Sequence, residues 1–274
     1  MVNQDDIIEY FKIEFESLMQ RFEDRRQLNY SLDEINDKGL VDCNWSQQHI
    51  NISFKIIPID YYLSNPAHKS IFKDDPIAYR KYFIQVARHE FGHSISCESF
   101  NKLHSYILPF NEFAKCVINK QYFTIHLNNI FFDFIANHLV YEKIDKSVPE
   151  EHIILNSNSF QTTFEAGYRI FDLIEICLLT SQIFYIYDQW DKLSPIFKEF
   201  KVSIFLDFLY IINDIFKKII IKNLENKYID MNSSISDITD LAVILDSINW
   251  KQIVLEQYSD KTGFTLLENF RNDF

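Results

Sequence analysis

Residues 75–100, DPIAYRKYFIQVARHEFGHSISCESF, decide how this chain is read. Asp74 and Asp75 followed by Pro76 are a helix start, an acidic cap ahead of a proline in the first turn, and the helical stretch runs from there to about Phe100. His89-Glu90-Phe91-Gly92-His93 lies deep inside it and matches H-E-x-x-H. On a helix, residues four apart share a face, so both imidazoles can reach one metal ion. Glu90 is offset on the same turn, where it can contact a metal-held water without ligating the metal. Ile84, Phe91 and Ile95 occupy the other face, as expected of a helix packed behind a site. Chance produces such a match in about one chain in a hundred of this length and composition, so its helical setting is what gives it weight.

A zinc ion held by two histidines needs a third protein ligand and an open position for water. The longer pattern H-E-x-x-H-x-x-G-x-x-H is absent, because Ser96 and Ser99 stand where its glycine and third histidine would be. The third ligand therefore comes from elsewhere. Residues 129–137, NIFFDFIAN, are apolar almost all round, yet Asn129, Asp133 and Asn137 recur every four residues as one polar stripe. A buried carboxylate needs a partner, and a metal ion supplies one. Cys97, four residues beyond His93, and His104, Glu112 and Glu165 are the rival ligands, ranked below Asp133.

Taken together, HEFGH and NIFFDFIAN resemble the gluzincin-like branch of the zincin metallopeptidases. There a second helix brings a carboxylate to the zinc, and one turn later a polar side chain supports a ligating histidine. The second string is also similar to that of intracellular metallopeptidases found beside von Willebrand factor A-like domains, in which an Asp follows an Asn by four. The resemblance covers roughly residues 75–144. It implies Zn²⁺ held by His89, His93 and Asp133, with Asn137, or else Asn129, orienting a ligating histidine, and Glu90 as general base. The better-known gluzincins use Glu as third ligand, so the shorter Asp133 requires a closer approach of the two helices. Peptidases of this type also stabilise an oxyanion with a side chain from outside the zinc helices. His152, Tyr168 and Arg169 follow the second helix at a suitable distance, and the sequence singles out none of them. His126 and His138 flank the stripe without sharing its step and are read as structural.

Outward from these two helices, Ile8, Phe11, Phe15, Leu18 and Phe22 recur at steps of three and four, which predicts an amphipathic helix. Between Trp45 and Pro58 the period changes to two, with Ile50, Ile52, Phe54 and Ile56 alternating with Asn51, Ser53 and Lys55. That is the best strand in the chain, and by the zincin resemblance it would be an edge strand pairing with an extended substrate. After Pro109 the second helical region ends near Tyr141 to Ile144, and a polar connector follows from Asp145 to Gln161. The remainder reads as helical, with breaks near Ser194-Pro195 and from Asn223 to Ser234. The expected fold is α+β and mainly helical. By the resemblance, residues 1–145 form a zincin-like part with a small sheet beside the HExxH helix, and 146–274 a helical part packed on it as one compact unit.

Composition bounds the rest. Only 4 glycines in 274 residues favour long helices over a meander of tight turns. A formal charge of -12 argues against a general nucleic-acid binder, because phosphate binding depends on Lys and Arg. Cys43, Cys97, Cys116 and Cys177 lie far apart without a CxxC pair, which fits buried thiols in a reducing compartment. The stretches 170–187 and 196–221 are greasy but interrupted by charges, so neither reads as a membrane span. The N-terminus lacks a basic segment followed by an apolar one, and a cytoplasmic location is expected. The functional expectation is a zinc-dependent peptidase acting on a peptide or protein. The alternative is a zincin-fold regulatory protein that keeps the metal without turnover, against which the intact Glu90 speaks.

Overall fold

The computed structural model describes residues 2–34, 39–46, 48–73, 75–99, 130, 133–147, 153, 170–199 and 206–225. These residues are mostly helical, with one small mixed sheet. The chain divides into two units: residues 1–101 with 139–155, and 102–138 with 156–274.

In the first unit, α1 (Gln4–Arg21) starts at a capping box: the Asn3 side chain accepts from the Asp6 backbone, and the Asp6 carboxylate accepts from the Asn3 backbone. The expected apolar stripe is buried at Ile8, Phe11, Phe15 and Leu18, while Phe22 is half-buried just past the helix end. Phe11 meets Phe54 of the sheet edge-on at 5.2 Å, and Phe15 meets Phe91 at 5.4 Å. α1 thus packs on both the sheet and the HEFGH helix, and these rings fix its distance from both.

The sheet has three strands, β1 (Gln27–Asp33), β2 (Val41–Trp45) and β3 (His49–Lys55), in the order β1-β3-β2. β3 pairs parallel to β1 and antiparallel to β2. The strongest strand of the sequence is therefore the central one, and the expectation that it offers an edge to substrate is overturned. Its apolar residues Ile50, Ile52 and Phe54 are 0–1% exposed, which favours the position hydrogen-bonded on both sides. The outer strands carry a weaker form of the same signal, Leu28 and Tyr30 in β1 and Val41, Cys43 and Trp45 in β2, each only half-buried.

Two local corrections follow at the end of β3. Lys55 does not face solvent with Asn51; it is 2% exposed, its Nζ 2.9 Å from the Asp42 carboxylate. The chain turns directly into α2 (Ile56–Ser64), so Pro58 does not stop the segment but sits in a first helical turn, where its missing N–H costs nothing. After α3 (Pro66–Phe72) comes α4 (Pro76–Ser99), with the bounds expected from the sequence. Asp75 caps it, accepting from the Ile77 backbone N–H at 2.9 Å. The fully buried line of α4 is Phe83, Ala87, Phe91 and Ser94, so Phe91 behaves as expected while Ile84 and Ile95 are only half-buried.

The next described helix, α5, covers residues 133–144 and changes character midway. Residues 133–139 are α-helical, and Val140–Ile144 form a π turn closed by the Asp145 N–H on the Val140 carbonyl at 2.9 Å. Its end matches the expected end of the second helical region.

The second unit contains α6 (Ile170–Ile186), α7 (Trp190–Glu199) and α8 (Leu206–Glu225). The break expected at Ser194-Pro195 is not there: α7 runs through Pro195, which is exposed, while Leu193 and Phe197 on the opposite side are 0% exposed. Burial of that face outweighs one lost backbone hydrogen bond. Phe134 packs on Phe216 at 5.6 Å, Gln182 donates to the Ile130 carbonyl, and Asn213 donates to Ser181 Oγ at 2.8 Å. Among the described residues no helix is long and apolar enough to cross a membrane.

Candidate metal centre

α4 is one continuous helix through the motif, so His89 and His93 stand one turn apart on the same face. Their rings lie 4.6 Å apart at 85°, and their Nε2 atoms are 3.1 Å apart. Two nitrogens on one tetrahedral zinc, each about 2.0–2.1 Å from the metal, stand about 3.3 Å apart, close to the separation of this pair. The Trp45 indole stacks on the His93 ring at 5.7 Å and 8°, which holds that imidazole's plane. Both histidines and Glu90 are half-buried.

Asp133 sits on α5 about two turns before the π turn. Its carboxylate completes a group: one ligand atom each from His89, His93 and Asp133 lie within 4.8 Å of one another, and all three residues are half-buried. Two imidazole nitrogens and one carboxylate oxygen are a donor set suited to zinc, and three protein ligands leave a position for water. The residues present therefore fit the metal that the sequence pattern implies.

Asn137 is buried one turn beyond Asp133, and His138 is buried against Phe134, the two rings stacked at 6.2 Å. Asn129, His152, Tyr168 and Arg169 lie outside the described residues, as do His104, Glu112, His126 and Glu165.

The structure adds residues that the sequence did not flag. Arg88, next to His89, donates through Nε to Glu14 of α1 at 2.7 Å and through Nη1 to Asp145 at 2.6 Å. Arg26 is 7% exposed, pairs with Asp24, and donates to the Ser94 carbonyl at 3.1 Å and to Ser94 Oγ at 3.3 Å. Arg88 thus ties α4 to its neighbours from the residue before His89, and Arg26 grips α4 at Ser94, the residue after His93. Trp45 belongs to the alternating pattern of β2, but that pattern does not name His93, and a lone arginine such as Arg88 or Arg26 does not name its partner either.

Burial works against the Asp24 carboxylate, but its hydrogen bonds and charge attraction to Arg26 outweigh that and hold it below its ordinary value. At Asp145 burial is likewise overcome, by bonds from the Ser147 backbone and hydroxyl and by Arg88. A carboxylate whose folded value is depressed contributes stability above its unfolded value, near 3.8, and loses it as pH falls through the lower folded value. Acid titration followed by circular dichroism is expected to show the chain losing this stability only below about pH 4, and Asp24→Asn is expected to flatten that acid limb. An unchanged limb in the variant would mean that the Arg26 pair does not couple to folding.

No protein-family model matches this chain, and neither the curated proteins nor the solved structures include a match to it.

Proposed function

We propose that this protein is a zinc-dependent metallopeptidase in which His89, His93 and Asp133 hold the ion and Glu90 moves the proton. The observation that carries the reading is the approach of those three ligand atoms to within 4.8 Å, achieved by two helices distant in sequence, one of which bears a complete H-E-x-x-H. Convergence of imidazole, imidazole and carboxylate at one point is what a metal site requires.

Zinc bound there supplies a Lewis acid that polarises a carbonyl and lowers the pKa of a water molecule towards neutrality. The chain's own residues do the rest. His89 and His93 present their Nε2 atoms from one rigid helix, with the Trp45 face keeping the second ring in plane. Glu90, on the same turn, takes the proton from the attacking water and returns it to the departing amine as the peptide bond breaks. Asp133 contributes the negative charge that a pair of neutral histidines lacks. Arg88 of α4 pairs with Asp145, the residue that follows α5.

The test uses full-length chain purified without a histidine tag. The expected result is about one zinc per chain, together with hydrolysis of a mixed peptide library that stops on chelation and returns with added zinc. A chain that carries no zinc and gains none on dialysis against it would overturn the metal centre. Stoichiometric zinc without any peptide cleavage would overturn the peptidase assignment and leave a metal-binding protein.

A further inference from the structure

The helix bearing Asp133 is fastened to the histidine helix at its far end, beyond a π turn. We infer that Arg88 is a positioning residue which, through Asp145, sets where the Asp133 carboxylate meets His89 and His93. The inference rests on the metal-centre reading above and deepens it.

Asp145, the cap residue that follows α5, lies twelve positions after Asp133. In an unbroken α-helix, steps of 100° would leave the two positions about 120° apart around the axis. A π turn absorbs one extra residue, so the same stretch counts as eleven α steps and the two positions fall about 20° apart. The π turn at Val140–Ile144 therefore brings the attachment point and the ligand onto one side of α5. Asp145 meets α4 at Arg88, and a carboxylate oxygen of Asp133 lies within 4.8 Å of a ring nitrogen of each histidine.

The lever is long. Eleven steps of 1.5 Å make about 17 Å, so a tilt of 10° at Asp145 swings Asp133 by about 3 Å. A metal site tolerates deviations of about 0.2 Å in its ligand distances. Whatever holds the Asp145 end must therefore hold it stiffly. Arg88 is suited to this, because its side chain is only 20% exposed and its planar fork is already fixed on the other side by Glu14 at 2.7 Å. Arg21 assists by donating to the Lys143 carbonyl at 3.0 Å and the Ile144 carbonyl at 3.4 Å, which satisfies the helix end without reaching α4. Because Arg88 adjoins His89 in the chain, the clamp and the ligand share one piece of backbone.

The experiment measures zinc affinity by chelator competition on full-length wild type, Arg88→Lys, Asp145→Asn, the double variant, and Ile52→Val as a control destabilised away from the site. Arg88→Lys keeps the charge but loses the two-sided fork. Each clamp variant is expected to bind zinc about 10–100-fold more weakly. The double variant should be no worse than the poorer single one, since both remove the same tie. Ile52→Val, at an equal or larger loss of melting temperature in chelator, should stay within about twofold of wild type. Unchanged affinity in folded Arg88→Lys and Asp145→Asn, with zinc bound normally by wild type, would overturn the positioning role alone. An equal weakening in Ile52→Val would overturn it too, by reducing the effect to general stability. Should Arg88→Lys fail to fold, Asp145→Asn decides by the same comparison. A wild type that binds no zinc would overturn the metal centre and this inference together.

Discussion

Glu90→Gln is expected to lower kcat for peptide hydrolysis by about 10²–10⁴-fold while zinc content stays at the wild-type level. Glutamine matches glutamate in size and keeps hydrogen bonding to water, but it cannot take up a proton near neutral pH. Glu90 lies outside the His89, His93 and Asp133 group, so the substitution removes none of those three side chains. Half-burial of the residue means that a neutral side chain there costs little in folding. The check is a pair of measurements on one preparation, steady-state kinetics and metal analysis. Full activity with full zinc would remove Glu90 from the mechanism. Loss of zinc along with activity would make it a ligand and displace Asp133 from that role.

The second large effect is thermodynamic. A ligand that binds only the folded chain stabilises it by an amount set by its concentration over Kd, about 4.1 kcal/mol at a thousandfold excess. For a chain of this size that corresponds to a melting temperature raised by about 8–16 °C. Chelation should remove the whole increment from wild type, and His89→Ala or Asp133→Ala should melt near the chelated value whether zinc is present or not. Calorimetry with and without chelator reads this directly. A wild-type melting temperature indifferent to zinc would mean that the three side chains do not form a site of useful affinity. A zinc-dependent rise that survives Asp133→Ala would move the third ligand elsewhere.

Both predictions come from residues legible in the sequence, and the reason is that their spacing is local. HEFGH declares itself because a four-residue step on a helix fixes which side chains share a face, whatever the helix packs against. Asp75 and Pro76 mark the helix start for an equally local reason, the chemistry of unsatisfied N–H groups. The Asn129-Asp133-Asn137 stripe pointed to Asp133 because a buried carboxylate needs a partner, although nothing in the string says which partner. Period-two alternation revealed β3 but not its place in the sheet. Strand order depends on which edges are covered, and His49–Lys55 looks the same from either position. Pro195 misled for a related reason: its cost is local, while the burial of Leu193 and Phe197 that outweighs it is tertiary.

By itself, then, the amino-acid order pointed to a mainly helical chain, to two imidazoles and a glutamate on one stretch of α4, and to a carboxylate that shares a four-residue step with two asparagines in a second, apolar segment. Only the tertiary structure decided that this carboxylate stands within 4.8 Å of the imidazoles, that Trp45 lies against His93, and that Arg88 ties the two helices together beyond a π turn. The division follows from range. Helical periodicity is set by backbone geometry within a few residues, whereas the meeting of Phe15 with Phe91, and of Arg88 with Glu14 and Asp145, depends on how buried rings and paired charges fix the approach of elements far apart in the chain.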